Sequence, residues 1–280
     1  MDLPVDIRRA ADRYRPVTAE GVTLYPITVE ELEIFNSVRP ALEFMQQILP
    51  VELMVKPLLT ALYQIELSFQ IQNDGTKFDL FTKTVLLLAL ALRLGRGRPE
   101  AERISKCLVE YVPDNPLELI ALRFQTEDGG EIVITPTAYE KLRPIIAVQN
   151  GAEIQPLDAN PQLVLAERQI LADRGRDLKR ELANKVAWVA AKSAADEDAV
   201  YEWPILKFER RAIVLQMELN YLIYGIAQNS GMVKFENGNP CPSPYFEREF
   251  DALPAKMLSS LGNGAAAKAV SASEGKNPTQ

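Results

Sequence analysis

The chain contains no histidine. In 280 residues that absence removes the commonest general base, the commonest metal ligand and the usual partner of a serine or cysteine nucleophile. Enzymes built on carboxylates, lysine or tyrosine stay open, but the balance moves toward a non-catalytic protein. Cysteine is scarce: Cys107 and Cys241 cannot build a disulfide framework or a four-thiolate zinc site. A basic excess is missing too. Lys and Arg number 31 against 38 Asp and Glu, a net charge of -7, whereas a nucleic-acid binder carries a basic surplus or stripe. The one local cluster, "RRAADRYR" with Arg8, Arg9, Arg13 and Arg15, is diluted by Asp2, Asp6 and Asp12 and reads as a solvated N-terminal arm with room for one short helix. Long apolar runs are absent. The uncharged stretch Thr84 to Leu92, closed off by Lys83 and Arg93, is far shorter than the roughly 20 apolar residues a membrane helix needs, and predicts a buried core helix. No apolar segment precedes a cleavage site at the N-terminus, so a cytoplasmic protein is expected.

Catalytic signatures are missing as well. "GRGRPE" begins with the glycine spacing of a dinucleotide loop, but Pro99 replaces the continuation and no strand precedes it. There is no P-loop, no G-x-S-x-G and no C-x-x-C. Asp196, Glu197 and Asp198 are consecutive, so on a helix they face different directions and read as a solvated run rather than a metal site. No catalytic residue, metal ligand or cofactor is therefore expected.

What is present is helical patterning. "TVEE" offers Thr28 as N-cap and Glu31 as the reciprocal residue of a capping box. Leu32, Phe35, Val38, Leu42, Met45 and Leu49 follow at steps of three and four, with Pro40 set to kink or divide the helix. Pro50 opens a further helical segment through Leu53, Leu58, Leu62 and Leu67, and Gly95 fits the position just past the end of the core helix. "VTLYPIT" (22–28) reads as a short strand or extended entry, and residues 100–112 read as a short helix with Ile104, Leu108 and Tyr111. "LELIALRFQT" and "EIVITP" flank Asp128-Gly129-Gly130, which predicts a β-hairpin at about 118–135. Thr135 and Pro136 then supply an N-cap and a first helical residue. Residues 161–193 read as a long charged helix or helix pair, with Gly175 the candidate break.

The cleanest helix starts near Trp203 and Pro204. Ile205, Phe208, Ala212, Leu215, Leu219, Leu222 and Ile226 alternate steps of three and four, and Ile213, Met217, Tyr221 and Tyr224 widen the apolar arc. That pattern predicts a central helix whose seam lies in the protein's own core. Beyond it, "GNPCPSPYFEREF" spaces Pro240, Pro242 and Pro244 ahead of Tyr245, Phe246 and Phe250. A stiff extended segment with aromatic anchors is a candidate partner-binding arm, the alternative being that it packs back on its own domain. The Gly/Ala/Ser-rich end has almost nothing to bury and is expected to be disordered. The organisation predicted is a mainly α, multi-helix globular domain at 21–254 with a small β-hairpin. An arm precedes it at 1–20, and a disordered C-terminal tail follows at 255–280.

"LYPITVEELEIFNSV" near the start, and "WPILKFERRAIVLQMELNYLIYGIA" followed by "GNPCPSPYF" near the end, resemble phage and prophage tail-morphogenesis proteins of Gram-positive hosts. Within that group the chain resembles tail assembly chaperones. The resemblance covers about a third of the chain and transfers no functional residue. It implies a non-enzymatic factor in the host cytoplasm that binds the aggregation-prone, helical tape-measure protein before the tail tube polymerises. The alternative is a structural minor tail or connector subunit retained in the virion. Partners implied are the tape measure or other tail components, or a second copy of the chain, and neither nucleic acid nor membrane.

Overall fold

Residues 3–20 fold rather than trail. The computed structural model describes residues 3–72, 78–154 and 182–231, with positions 160, 162 and 166 between them. The chain divides into two units, Met1–Glu209 and Arg210–Gln280. In the first unit, α1 (Val5–Asp12) buries Ala11 and packs against a later helix, α7 (Pro136–Gln149). Strand β1 (Val17–Ala19) then pairs antiparallel with β2 (Val22–Leu24). The short helix allowed for in the arm is α1, and Arg8, Arg9, Arg13 and Arg15 are exposed as expected, but the segment is not a free arm: Ala11 and Val17 give it an apolar side to bury.

The capping box at Thr28 does not form. Val29–Glu31 make one 3-10 turn, the Thr28 side chain caps nothing, and Glu31 turns inward. Helix α2 (Leu32–Leu42) carries Pro40 in its last turn and stops two residues later, so the apolar face ends before Leu49. Pro57 divides the next segment into α3 (Val51–Met54) and α4 (Leu58–Gln72). Helix α5 (Leu80–Ala91) is the expected core helix, with every residue from Thr84 to Ala91 buried. Helices α2 and α4 pack on it. Each fully buried leucine here contributes about 1.5–3 kcal/mol. The helix closes with Arg93 in the left-handed position, at φ 57°, where Gly95 was expected. The Arg93 N–H reaches Leu90 O and the Leu94 N–H reaches Ala89 O, both at 2.9 Å.

Helix α6 (Glu100–Ser105) is shorter than predicted because Cys107–Val112 form strand β3 instead. Alternation in "CLVEYV" finds a partner in β4 (Asn115–Gln125), which also pairs with β5 (Glu131–Ile134), giving the order β3-β4-β5. The predicted hairpin is the β4–β5 half of this sheet. Arg123 on the middle strand donates to Glu110 at 2.7 Å and to Glu131 at 2.8 Å, tying all three strands together on the exposed face. Helix α7 starts as its sequence predicts, with the Ala138 N–H donating to Thr135 Oγ1 at 3.2 Å.

Helices α8 (Leu182–Ser193) and α9 (Glu197–Tyr201) pack on each other. Helix α10 (Ile205–Asn229) begins after Pro204. Its start is anchored by backbone bonds on either side of Thr28: Val29 N–H to Trp203 O and Ile205 N–H to Ile27 O, both 2.9 Å. The result is mainly α, with ten helices and two small antiparallel sheets among the described residues. No helix among the described residues is long and apolar enough to cross a membrane. The stretch 167–181, the proline-spaced segment and the C-terminal end lie outside the described residues.

Candidate functional site

Two apolar surfaces carry the functional reading, one in each unit. The first is the C-terminal half of α10. Ile205, Phe208, Ala212 and Leu215 are buried, as the seam predicts, but Leu219, Leu222 and Ile226 are 38%, 52% and 68% exposed. The expectation that the whole seam lies in the core is therefore corrected at Leu219. The periodicity itself continues. Leu219, Leu222, Ile223 and Ile226 stand at i, i+3, i+4 and i+7 and so share one face, with Tyr221 and Tyr224 exposed on the other side. From Leu219 to Gly231 no residue is charged. A solvated helix face is ordinarily polar, so an apolar stripe of this length marks a surface built to be covered.

The second surface is a cleft of about 550 Å³ between the α2–α3 connection and α4. Phe44, Leu49, Leu53, Ile65, Phe69 and Phe78 line it. Phe69 and Phe78 stack with centroids 5.6 Å apart and planes 14° from parallel. Local hydrogen bonds hold its wall in place. Gln46 donates to Met54 O at 2.9 Å and to Lys56 O at 2.6 Å. Tyr63 and Gln64 on α4 donate to Pro116 O and Leu117 O, fixing the first residues of β4. Val51 and Val55, beside the cleft, are exposed β-branched residues with no role in the core.

The groups considered for chemistry are occupied elsewhere. Burial pushes the Cys107 thiol up to about 12, so it stays protonated and un-nucleophilic at neutral pH. The adjacent carboxylates of "TVEE" are both paired: Glu30 meets Arg96 at 3.0 Å and Glu31 meets Arg103 at 2.7 Å. Asp196 caps α9 by accepting from the Asp198 N–H. Among the described residues no three His, Cys, Asp or Glu side chains group to hold a metal ion. Pro240, Pro242, Pro244, Tyr245, Phe246 and Phe250, the predicted partner-binding arm, lie outside the described residues. Sequence reasoning missed both apolar surfaces for one reason: periodicity shows that a face will be covered, not by which chain. Val51 and Val55, exposed in a four-residue helix and at its end, gave no periodic signal at all.

No protein-family model, curated protein or solved structure matches the chain.

Proposed function

We propose that the chain is a non-enzymatic assembly factor of a phage tail, acting in the host cytoplasm to hold an aggregation-prone helical protein, the tape measure, until the tail tube forms around it. The single observation that carries this reading is the uncharged, exposed stripe Leu219, Leu222, Ile223 and Ile226 at the end of an otherwise well-anchored helix. A heptad-type seam left open is the surface against which an amphipathic helix of a partner packs. The apolar cleft beside α3 adds a second place of the same chemistry. The resemblance of the two terminal segments to tail assembly chaperones supplies the partner.

Co-expression with the tape-measure protein of the same phage tests it. The tape measure is expected to stay soluble with the wild-type chain. It is expected to precipitate with Leu222→Asp plus Ile226→Asp, while the variant chain itself melts as before. Finding the protein at stoichiometric levels in purified virions would overturn the chaperone reading in favour of a structural tail subunit.

A further inference from the structure

A second cleft, of about 560 Å³, lies between α7 and the α2–α3 connection. Leu3, Phe44, Val148 and Ile154 contribute to its largely apolar lining, and its volume suits a small ligand or the end of a short chain. One cation stands in its wall. Arg143 is only 8% exposed, yet no carboxylate lies within ion-pair distance of it among the described residues. Its Nε donates to Leu42 O at 2.9 Å and its Nη2 to Phe44 O at 2.5 Å, which caps the end of α2. Nη1 hydrogen-bonds nothing among the described residues. A guanidinium bonded only to carbonyl oxygens, with no carboxylate beside it, leaves a free planar donor edge, the arrangement that selects a carboxylate.

The other polar groups of the cleft do not supply that carboxylate. Glu140 accepts from the Leu58 N–H at 2.6 Å and so caps α4, Gln46 is spent on Met54 and Lys56, and Glu153 is exposed to water. We infer that this cleft binds the carboxylate end of an apolar chain, with Arg143 Nη1 as the recognition donor and the apolar walls taking the rest. The inference does not depend on the phage reading.

Titration calorimetry below micellar concentration tests it, with dodecanoate, dodecanol and dodecyltrimethylammonium as probes. Dodecanoate is expected to bind at least tenfold more tightly than the other two. Arg143→Met is expected to erase that difference, and Val148→Trp, at a partly exposed position on the rim, to block all three while leaving the circular dichroism unchanged. If Arg143→Met fails to fold, the comparison of probes on the wild type and on Val148→Trp decides alone. Acetyl-Leu-Leu-Val as free acid and as amide distinguishes the two sources of such a ligand. Tighter binding of the acid points to a protein C-terminus, whereas binding of dodecanoate alone points to a lipid-like acid. Equal binding of the three dodecyl probes, no binding, or undiminished binding to Val148→Trp would overturn the proposal.

Discussion

Arg103 donates through Nη1 to Glu31 at 2.7 Å, and the two side chains are 1% and 4% exposed. The Arg103 Nε also reaches Arg98 O at 3.1 Å, so this ion pair joins the 3-10 turn before α2 to the turn before α6. Taking two charges out of water is costly, and removing one partner strands the other. Glu31→Gln is expected to destabilise the protein by about 3–5 kcal/mol in urea unfolding. The double variant Glu31→Leu with Arg103→Met is expected to regain most of that loss, since an apolar pair leaves no stranded charge. A double variant as unstable as the single one would show that the pair itself, and not the unpaired charge, sets the cost.

The two halves of α10 are expected to respond oppositely to truncation. Phe208→Ala, at a fully buried site, should cost about 3–5 kcal/mol, and Leu215→Ala about 2–5 kcal/mol. Leu222→Ala and Ile226→Ala, at exposed sites, should stay within about 0.5 kcal/mol. Thermal melts of the four variants check this. Large losses at Leu222 or Ile226 would mean that the stripe is already covered within the free chain.

Ala194 holds a φ of 49° at the end of α8, where Ala195 N–H reaches Ala190 O at 3.1 Å. The left-handed conformation costs a non-glycine residue about 1–2 kcal/mol, and the extra entropy of an unfolded glycine returns about 0.5–1 of it. Ala194→Gly, at an exposed position, is therefore expected to raise stability by about 0.5–1 kcal/mol. Arg93→Gly should gain less. Its guanidinium lies 4.7 Å from the centre of the Tyr25 ring, and losing that contact gives back about 0.5–1 kcal/mol. Equal gains at both sites in parallel melts would argue against the ring contact.

Cys107 supplies a pH prediction. Burial disfavours its thiolate, raising the folded value from 9.0 to about 12. The neutral thiol is thus favoured by folding: this contribution to stability is complete below pH 9 and is lost as pH rises toward 12. In a Cys241→Ser background, alkylation by iodoacetamide should be slow at pH 8 and keep rising about tenfold per pH unit beyond 9, where an ordinary thiol levels off. A plateau near pH 9 would show that Cys107 is solvated.

Several elements were legible because their chemistry is local. The uncharged run from Thr84 to Leu92 can only be buried, Thr135-Pro136 starts α7 whatever lies around it, and Asp128-Gly129-Gly130 between β-prone runs turns the chain back on itself. The start of α10 after Trp203-Pro204 belongs with them. Of the candidate site, the seam of α10 was legible as a pattern.

What the sequence could not decide depends on groups far apart along it. "CLVEYV" becomes a strand because β4 offers an edge to pair with. Glu66 on α4 caps α5 by accepting from Phe81 and Thr82, Glu140 on α7 caps α4, and Arg143 caps α2. None of these caps has a local signature, since each acceptor or donor reaches its helix end across space. The seam of α10 divides at Leu219 for the same reason. Residue type sets which face seeks cover, through the 3.6-residue period, but only tertiary structure determines how far the cover extends.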